Sequence, residues 1–405
     1  MLSVGLDPPS GRPSFMCVAG SAAVQRRASP ASRTGSGRFV TRRPLAVVVV
    51  GVVGLAVVAL PMLHMKLGLP DGGSKPTDNT ERRSSDLLSD GFGPGFNGTL
   101  TSAVDAPGLS HAEQKDLARN LVEGLEEFPN VAAVSQPAQN EAGDVTIVSV
   151  TPKSGPASDG TKDLVERLRV KGDEIRAKTG IEAYVTGQTA TNIDTADRLS
   201  AALPKYIVVV VGLALLLLTV VFRSLLVPIK AAAGFLLSIA AAMGITVWIF
   251  QDGNLADLFG NSQAGPIVSF LPNLLSGILF GLAMDYEVFL VSRMRESFVR
   301  TGRAREAVVT GYGHSGRVVV AAAIIMTAVF GAFVLDVDPV VKSIGLSLAV
   351  GVLADAFIVR LTLVPAVMAL LGRRAWWLPK RFGRVVPNLD IEGERLATGK
   401  RAAHA

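Results

Sequence analysis

The chain has 405 residues, of which 49% are hydrophobic and only 18% charged, with a formal net charge of +6. An ordinary soluble domain carries about 25% charged residues; here the apolar residues are gathered into long runs, so a bilayer is their expected solvent, and the basic excess flanks those runs, which argues for membrane topology and against a nucleic-acid partner. The single cysteine, Cys17, excludes an intrachain disulfide framework and a thiolate metal cluster.

Residues 1–37 are rich in Ser, Arg, Pro and Gly without hydrophobic period, and read as a disordered cytoplasmic leader. Six apolar spans follow, at about 45–63, 206–222, 231–250, 267–291, 318–335 and 343–371. At 1.5 Å rise per residue, roughly 20 residues cross the hydrocarbon core, and each span is near that length. The division expected is a first transmembrane helix (38–63), an extracytoplasmic domain (64–205), a five-helix bundle (206–371) and a cytoplasmic tail (372–405). Arginines and lysines crowd before the first span, between the second and third, between the fourth and fifth, and after the sixth. The opposite links, 251–266 and 336–342, carry only Lys342. The positive-inside rule then puts both termini in the cytoplasm of a multi-pass plasma-membrane protein.

Within 64–205, Pro70–Gly98 reads as a Gly/Pro/Ser-rich connection. Alternation predicts strands near 98–106, 131–135, 144–152 and 181–186. Helices are expected from Ser110, an N-cap with Glu113 completing a capping box, and over 161–179. The order β-α-β-β-α-β implies an inserted α+β, ferredoxin-like domain. The fold class expected is therefore an α-helical membrane bundle with that domain inserted. A polar helix over 189–203 leads into the second span.

The fourth span holds Gly277, Gly281 and Asp285 at spacings of four, followed by Tyr286 and Glu287. Small residues on one face let a neighbouring helix approach closely, so Gly277 and Gly281 are expected to pack and Asp285 to face a helix rather than lipid. A carboxylate in the membrane is costly unless paired, wetted or protonated, and usually marks an ion or proton path. Asp285 lies about eight residues, roughly 12 Å, from Arg293. Asp285 is the expected proton carrier and Tyr286 its hydrogen-bond donor; tying two helices together is the alternative use of such an acid. Glu287, rotated about 200° from Asp285, is expected to snorkel or to pair with an arginine. The sixth span adds Asp355 and Arg360. Five residues apart is poor α-helical spacing for a direct pair, so Arg360 is expected either to meet Asp285 from a neighbouring helix or to snorkel to headgroups. Ala231–Gly234, Ser238, Ala240–Ala242 and Gly244 in the third span suit tight helix packing. Pro365 is a candidate kink.

The four histidines (His64, His111, His314, His404) show no metal-ligand spacing, and there is no GxxxxGK[ST] loop or GxSxG elbow. No metal, cofactor or enzymatic activity is expected. Asp285 and Asp355 on two helices would suit an intramembrane aspartyl protease, but neither lies in a Gly-x-Gly-Asp motif.

The run Gly281-Leu-Ala-Met-Asp285-Tyr286-Glu287-Val-Phe-Leu-Val-Ser-Arg293 resembles the signature of the MMPL family, within the RND superfamily. So do Gly91–Gly98, Asp355–Pro365 and the Trp376–Lys380 and Pro387–Glu394 stretches, and the order of one helix, a porter domain and five helices is that family's half-unit. The resemblance, over about residues 38–394, implies export of lipids or other hydrophobic compounds driven by the proton gradient, with Asp285 and Tyr286 matching the Asp-Tyr pair of the second half. It further implies a first-half polypeptide or a homo-oligomer as partner. The alternative is a truncated, non-transporting half acting as an interaction or structural protein.

Overall fold

The computed structural model describes residues 42–255 and 264–377. The expected leader (1–37, with Cys17), most of the expected tail (372–405) and His404 lie outside them. Six helices among the described residues are long and apolar enough to cross a membrane: Pro44–His64, Gln188–Phe222, Leu226–Gln251, Leu271–Thr301, Ser315–Leu335 and Pro339–Trp376. These coincide with the six expected spans.

The elements, in chain order, begin with α1 (Pro44–Ala59), whose proline at the first turn sacrifices only an N–H that has no helical partner. A 3₁₀ turn carries the chain into the short strand β1 (Leu67–Gly68). Helix α2 (Thr80–Phe92) lies inside the stretch expected to be an irregular connection. Asn79 caps it, accepting from the Glu81 N–H. The turn residues around it concealed its pattern, and Arg82 anchors it by donating to Asp86 and to the Gly73 and Lys75 carbonyls.

A sheet domain follows: β2 (Leu100–Asp105), α3 (His111–Glu126), β3 (Val131–Val134), β4 (Ala138–Gln139), β5 (Val145–Pro152), α4 (Asp159–Thr179) and β6 (Glu182–Thr186). The longer strands lie side by side as β3-β5-β2-β6, each pair antiparallel, and β4 pairs with β5. Period-2 alternation sends Leu100, Ser102 and Val104 to one face. There Leu100, Val148 and Val150 pack with Leu164, Val165 and Leu168 of α4 into one core. The Ser110–Glu113 capping box is present at the start of α3.

Helix α5 (Gln188–Phe222) runs unbroken from the sheet domain into the membrane, with Pro204 inside it. Then come α6 (Leu226–Thr246, extended by a π turn to Gln251), the two-residue strand β7 (Ile267–Val268), α7 (Leu271–Thr301) and α8 (Ala304–Ala332). The last span is broken into three: α9 (Pro339–Leu353), a π-helical segment (Ala354–Leu363) and α10 (Val364–Leu371). Pro365 sits just past the π segment. A proline cannot donate to the helix and its ring crowds the carbonyl four residues back, and a π turn is one way a helix accommodates that conflict.

In α6 and in the last span, 67% of the most apolar stretch is buried, against 6% in the first span and 11% in the fifth, so α6 and the last span form the centre of the bundle. Close approach there depends on glycine: a methyl at Gly244 would overlap the Val58 carbonyl of α1. The sheet domain is tied to the bundle through β1. That strand pairs in parallel with β7, its Leu67 carbonyl accepts from Lys162 Nζ at 3.0 Å, and Lys66 reaches Asp159 Oδ2 at 2.5 Å. The Lys66 hydrogen bond holds the Asp159 carboxyl below the usual carboxylate range.

Candidate functional site

Three segments bring ionisable groups together inside the bundle. Helix α6 contributes Lys230, α7 contributes Glu287, and the π segment contributes Asp355 and Arg360. In a π-helix the backbone bonds run from i to i+5, as the Val364 N–H to Val359 carbonyl contact does here, and the Thr362 side-chain hydroxyl likewise reaches back five residues to the Phe357 carbonyl at 2.9 Å. Residues five apart are therefore brought over one another, and Arg360 Nε donates to Asp355 Oδ2 at 2.5 Å. The expectation that this spacing is too poor for a direct pair is corrected: it assumed an α-helix.

Lys230 Nζ donates to Glu287 Oε1 at 2.6 Å, and Arg360 Nη1 stands 3.5 Å from Glu287 Oε2. Glu287 is 1% exposed, Arg360 3% and Asp355 7%. Two cations and two anions thus balance in a protein-lined interior. A single buried charge costs several kcal/mol, and each pairing here offsets that cost only while its partner remains. The Arg360 guanidinium also lies 5.8 Å from the centre of the Tyr286 ring, within cation–π range.

One further expectation changes, and of the two alternatives for Glu287 the structure takes the second. Arg360 neither meets Asp285 nor snorkels; it is buried and given to Asp355 and Glu287. Glu287 does not snorkel either. It pairs with an arginine, Arg360, and also with Lys230. Lys230 had the appearance of a topological charge in the link between two spans, yet it lies one turn inside α6 with its side chain 8% exposed. Its position past the helix start was the available signal.

Asp285 is exposed on the single chain and makes no hydrogen bond or ion pair with a described residue. Tyr286 is half-buried. Of the two glycines on the Asp285 row, Gly277 lies against α5, where an added Cβ would stand 2.8 Å from the Tyr206 hydroxyl. Gly281 has open space beside it. Among the described residues, then, there is no close helix packing at Gly281 and no helix covering Asp285: α5 reaches the Gly277 end of that row and no described element covers the rest.

Hydroxyl groups also lie in the centre, among them Ser238, one of the small residues expected to suit tight helix packing. Thr246 Oγ1 and Ser347 Oγ are 2.6 Å apart between α6 and α9, and Ser238 is 1% exposed beside Asp355. No group of three His, Cys, Asp or Glu among the described residues is arranged to hold a metal. His64 Nε2 lies 3.0 Å from Asp252 Oδ1.

The MMPL family model matches residues 97–388. Membrane protein YdfJ of Bacillus subtilis is 49% identical over 360 residues, covering 89% of this chain and 49% of that protein. The putative membrane protein SCO6666 of Streptomyces coelicolor is 38% identical, covering 88% of this chain and 48% of its own length. The mycolic acid-containing lipids exporter MmpL11 of Mycolicibacterium smegmatis is 32% identical over 399 residues, covering 94% of this chain and 41% of that protein. The chain spans about half the length of the curated relatives it matches.

Proposed function

Because the chain belongs to the MMPL family, we propose that it supplies the half-unit of a proton-driven exporter of lipids or other hydrophobic compounds. The observation that carries this reading is the buried cluster Lys230–Glu287–Arg360–Asp355 next to Tyr286, because charges placed inside a membrane bundle at such cost mark ion and proton paths. Asp285 and Tyr286 are the proton-relay pair of the assembled complex, where Asp285 carries the proton and Tyr286, not hydrogen-bonded to it in the single chain, donates to it. Arg360, held over the Tyr286 ring, links that pair electrostatically to Asp355 and Glu287. A resident cofactor and covalent catalysis have no part in this reading.

The open row at Gly281 and Asp285 supports assembly with a first-half polypeptide or a second copy, which would cover the carboxylate. The strand neighbours β3-β5-β2-β6, with one helix after the first strand and one before the last, support a ferredoxin-like porter domain. The basic links on one side of the bundle support an outward-facing porter domain, cytoplasmic termini and a plasma-membrane location. Lipid cargo draws on the mycobacterial relative named as a lipid exporter.

The test is Asp285→Asn in the complex purified through a tag on this chain, whose mass exceeds the chain's own 42.4 kDa. Reconstituted with a fluorescent phospholipid and an imposed pH gradient, the wild-type complex moves the lipid. The variant inserts and assembles but moves none above background. Full transport by the variant would sink the proposal.

A further inference from the structure

A cavity of about 240 Å³ opens where the segment after α1 meets the ends of α6 and α9. Its walls include Asp71, Ser74 and Lys75, and its floor is Phe250 and Ser343. At about 30 Å³ per water molecule, it has room for several. One helical turn below the floor lie Thr246 and Ser347, both fully buried. Ser347 Oγ is 2.6 Å from the Ser343 carbonyl oxygen and 2.6 Å from Thr246 Oγ1, while Thr246 Oγ1 is 2.8 Å from the Ala242 carbonyl oxygen. Two hydroxyls own two hydrogens, and here they face three short oxygen–oxygen contacts. One contact is therefore always without its hydrogen, and two arrangements of the hydrogens keep the hydroxyl–hydroxyl bond.

Two turns deeper on the same pair of spans lie buried polar atoms without partners among the described residues. Ser238 Oγ stands within reach of the Asp355 carboxylate but not in full hydrogen-bond geometry. Asp355 Oδ1 and Arg360 Nη1 also lack a hydrogen-bond partner among the described residues, although Arg360 Nη1 lies 3.5 Å from Glu287 Oε2 as an ion pair. All three side chains are more than nine-tenths buried. Buried polar atoms are nearly always satisfied, and bound water is what satisfies them where protein does not. Between the two levels, over a stretch of roughly 12 Å, the helices carry Ala242 and Gly351, and the Leu279 side chain of α7 fills the space beside Gly351, so water reaching the acid has to pass it.

We propose that this cavity is an aqueous entrance, through which water passes the Thr246–Ser347 hydroxyl pair and reaches Asp355 between α6 and the last span. The ligand class is water, and with it the proton. The proposal rests on the exporter reading for its direction, from the outer face inward, and it identifies a path separate from the exposed row that carries Asp285.

The single native cysteine makes the test clean. In a Cys17→Ser background, Ser347→Cys and Ser238→Cys are compared with Met243→Cys, a fully buried apolar position on α6, and with Ile324→Cys, on the exposed apolar face of α8. Silver ion is added outside sealed right-side-out vesicles. After quenching and denaturation, the remaining thiols are counted with a fluorescent maleimide. A thiol in contact with water ionises and one in an apolar site does not, so S347C and S238C should be blocked about tenfold or more faster than M243C and I324C. Adding Thr246→Val, which removes one hydroxyl of the pair, should slow blocking of S238C. Equal rates at positions 238 and 243 overturn the proposal and leave the hydroxyls as helix–helix ties. Blocking of S347C alone also overturns it, because the entrance would then stop short of the acid. The assay reads no transport, so failure of the exporter reading, seen as an Asp285→Asn complex that still exports, is separable from failure of the entrance.

Discussion

In the sheet domain, Leu100, Val148, Val150 and Leu164 are fully buried, while Asp105, Glu123 and Lys171 lie at the surface. In the membrane bundle the arrangement is reversed: Val50, Leu63 and Ile324 are 71%, 84% and 57% exposed, and Lys230, Glu287, Asp355 and Arg360 are inside. The difference follows from the solvent each region meets. Water rewards the sheet domain for hiding apolar area, about 25 cal/mol per Å². Lipid gives the bundle no such reward for hiding leucine, and its charges have no better place than one another. Stability in the first region therefore resides in apolar volume, and in the second it depends on charge balance and on close backbone approach.

The sharpest way to break the comparison is at the charge cluster. Glu287→Leu strips Lys230 and Arg360 of a shared carboxylate, and loss of one partner of a buried pair costs about 3–5 kcal/mol. The thermal midpoint of the detergent-solubilised protein, followed by fluorescence-detected size exclusion, should fall strongly. The double variant Lys230→Met, Glu287→Met should recover much of that loss, because it removes one cation and one anion together. A double variant as unstable as the single one would show that the two charges do not act as a pair.

Next comes a matched pair of truncations. Leu164→Ala in the sheet-domain core should cost about 2–5 kcal/mol through lost burial and the cavity left behind. Ile324→Ala on the exposed apolar face of α8 should change stability by within about 0.5 kcal/mol. Unfolding monitored by limited proteolysis of the whole chain separates the two, and similar losses at both positions would contradict the solvent argument. The smallest effect belongs to a cap. Asn79→Ala removes the acceptor for the Glu81 N–H at the start of α2 and should cost about 1 kcal/mol, seen as faster amide exchange across residues 80–92 with no change elsewhere.

The six spans, the longer strands β2, β3, β5 and β6, the Ser110–Glu113 capping box and the Asp285-Tyr286 motif were all legible in the sequence, because each is written in residues close along the chain. Apolar runs, period-2 alternation and cap spacing act locally, and they act on the same positions wherever the element finally packs. Helix α2 was missed because the turn-forming residues that flank it obscure its 13-residue pattern, and the two-residue strands β1, β4 and β7 because they are too short to show alternation.

The site was decided by tertiary structure. Lys230 meets Glu287 only because α6 and α7 pack at that depth, and Arg360 meets Asp355 only because ten residues of the last span wind as a π-helix. An α-helical reading of the same residues rotates the arginine away from its partner and sends it to the wrong carboxylate. The physical reason is that an ion pair needs two groups within a few ångströms, and a change of winding shifts a side chain around its helix by more than that. Periodicity identifies which residues enter the membrane; helix winding and packing determine which of them touch.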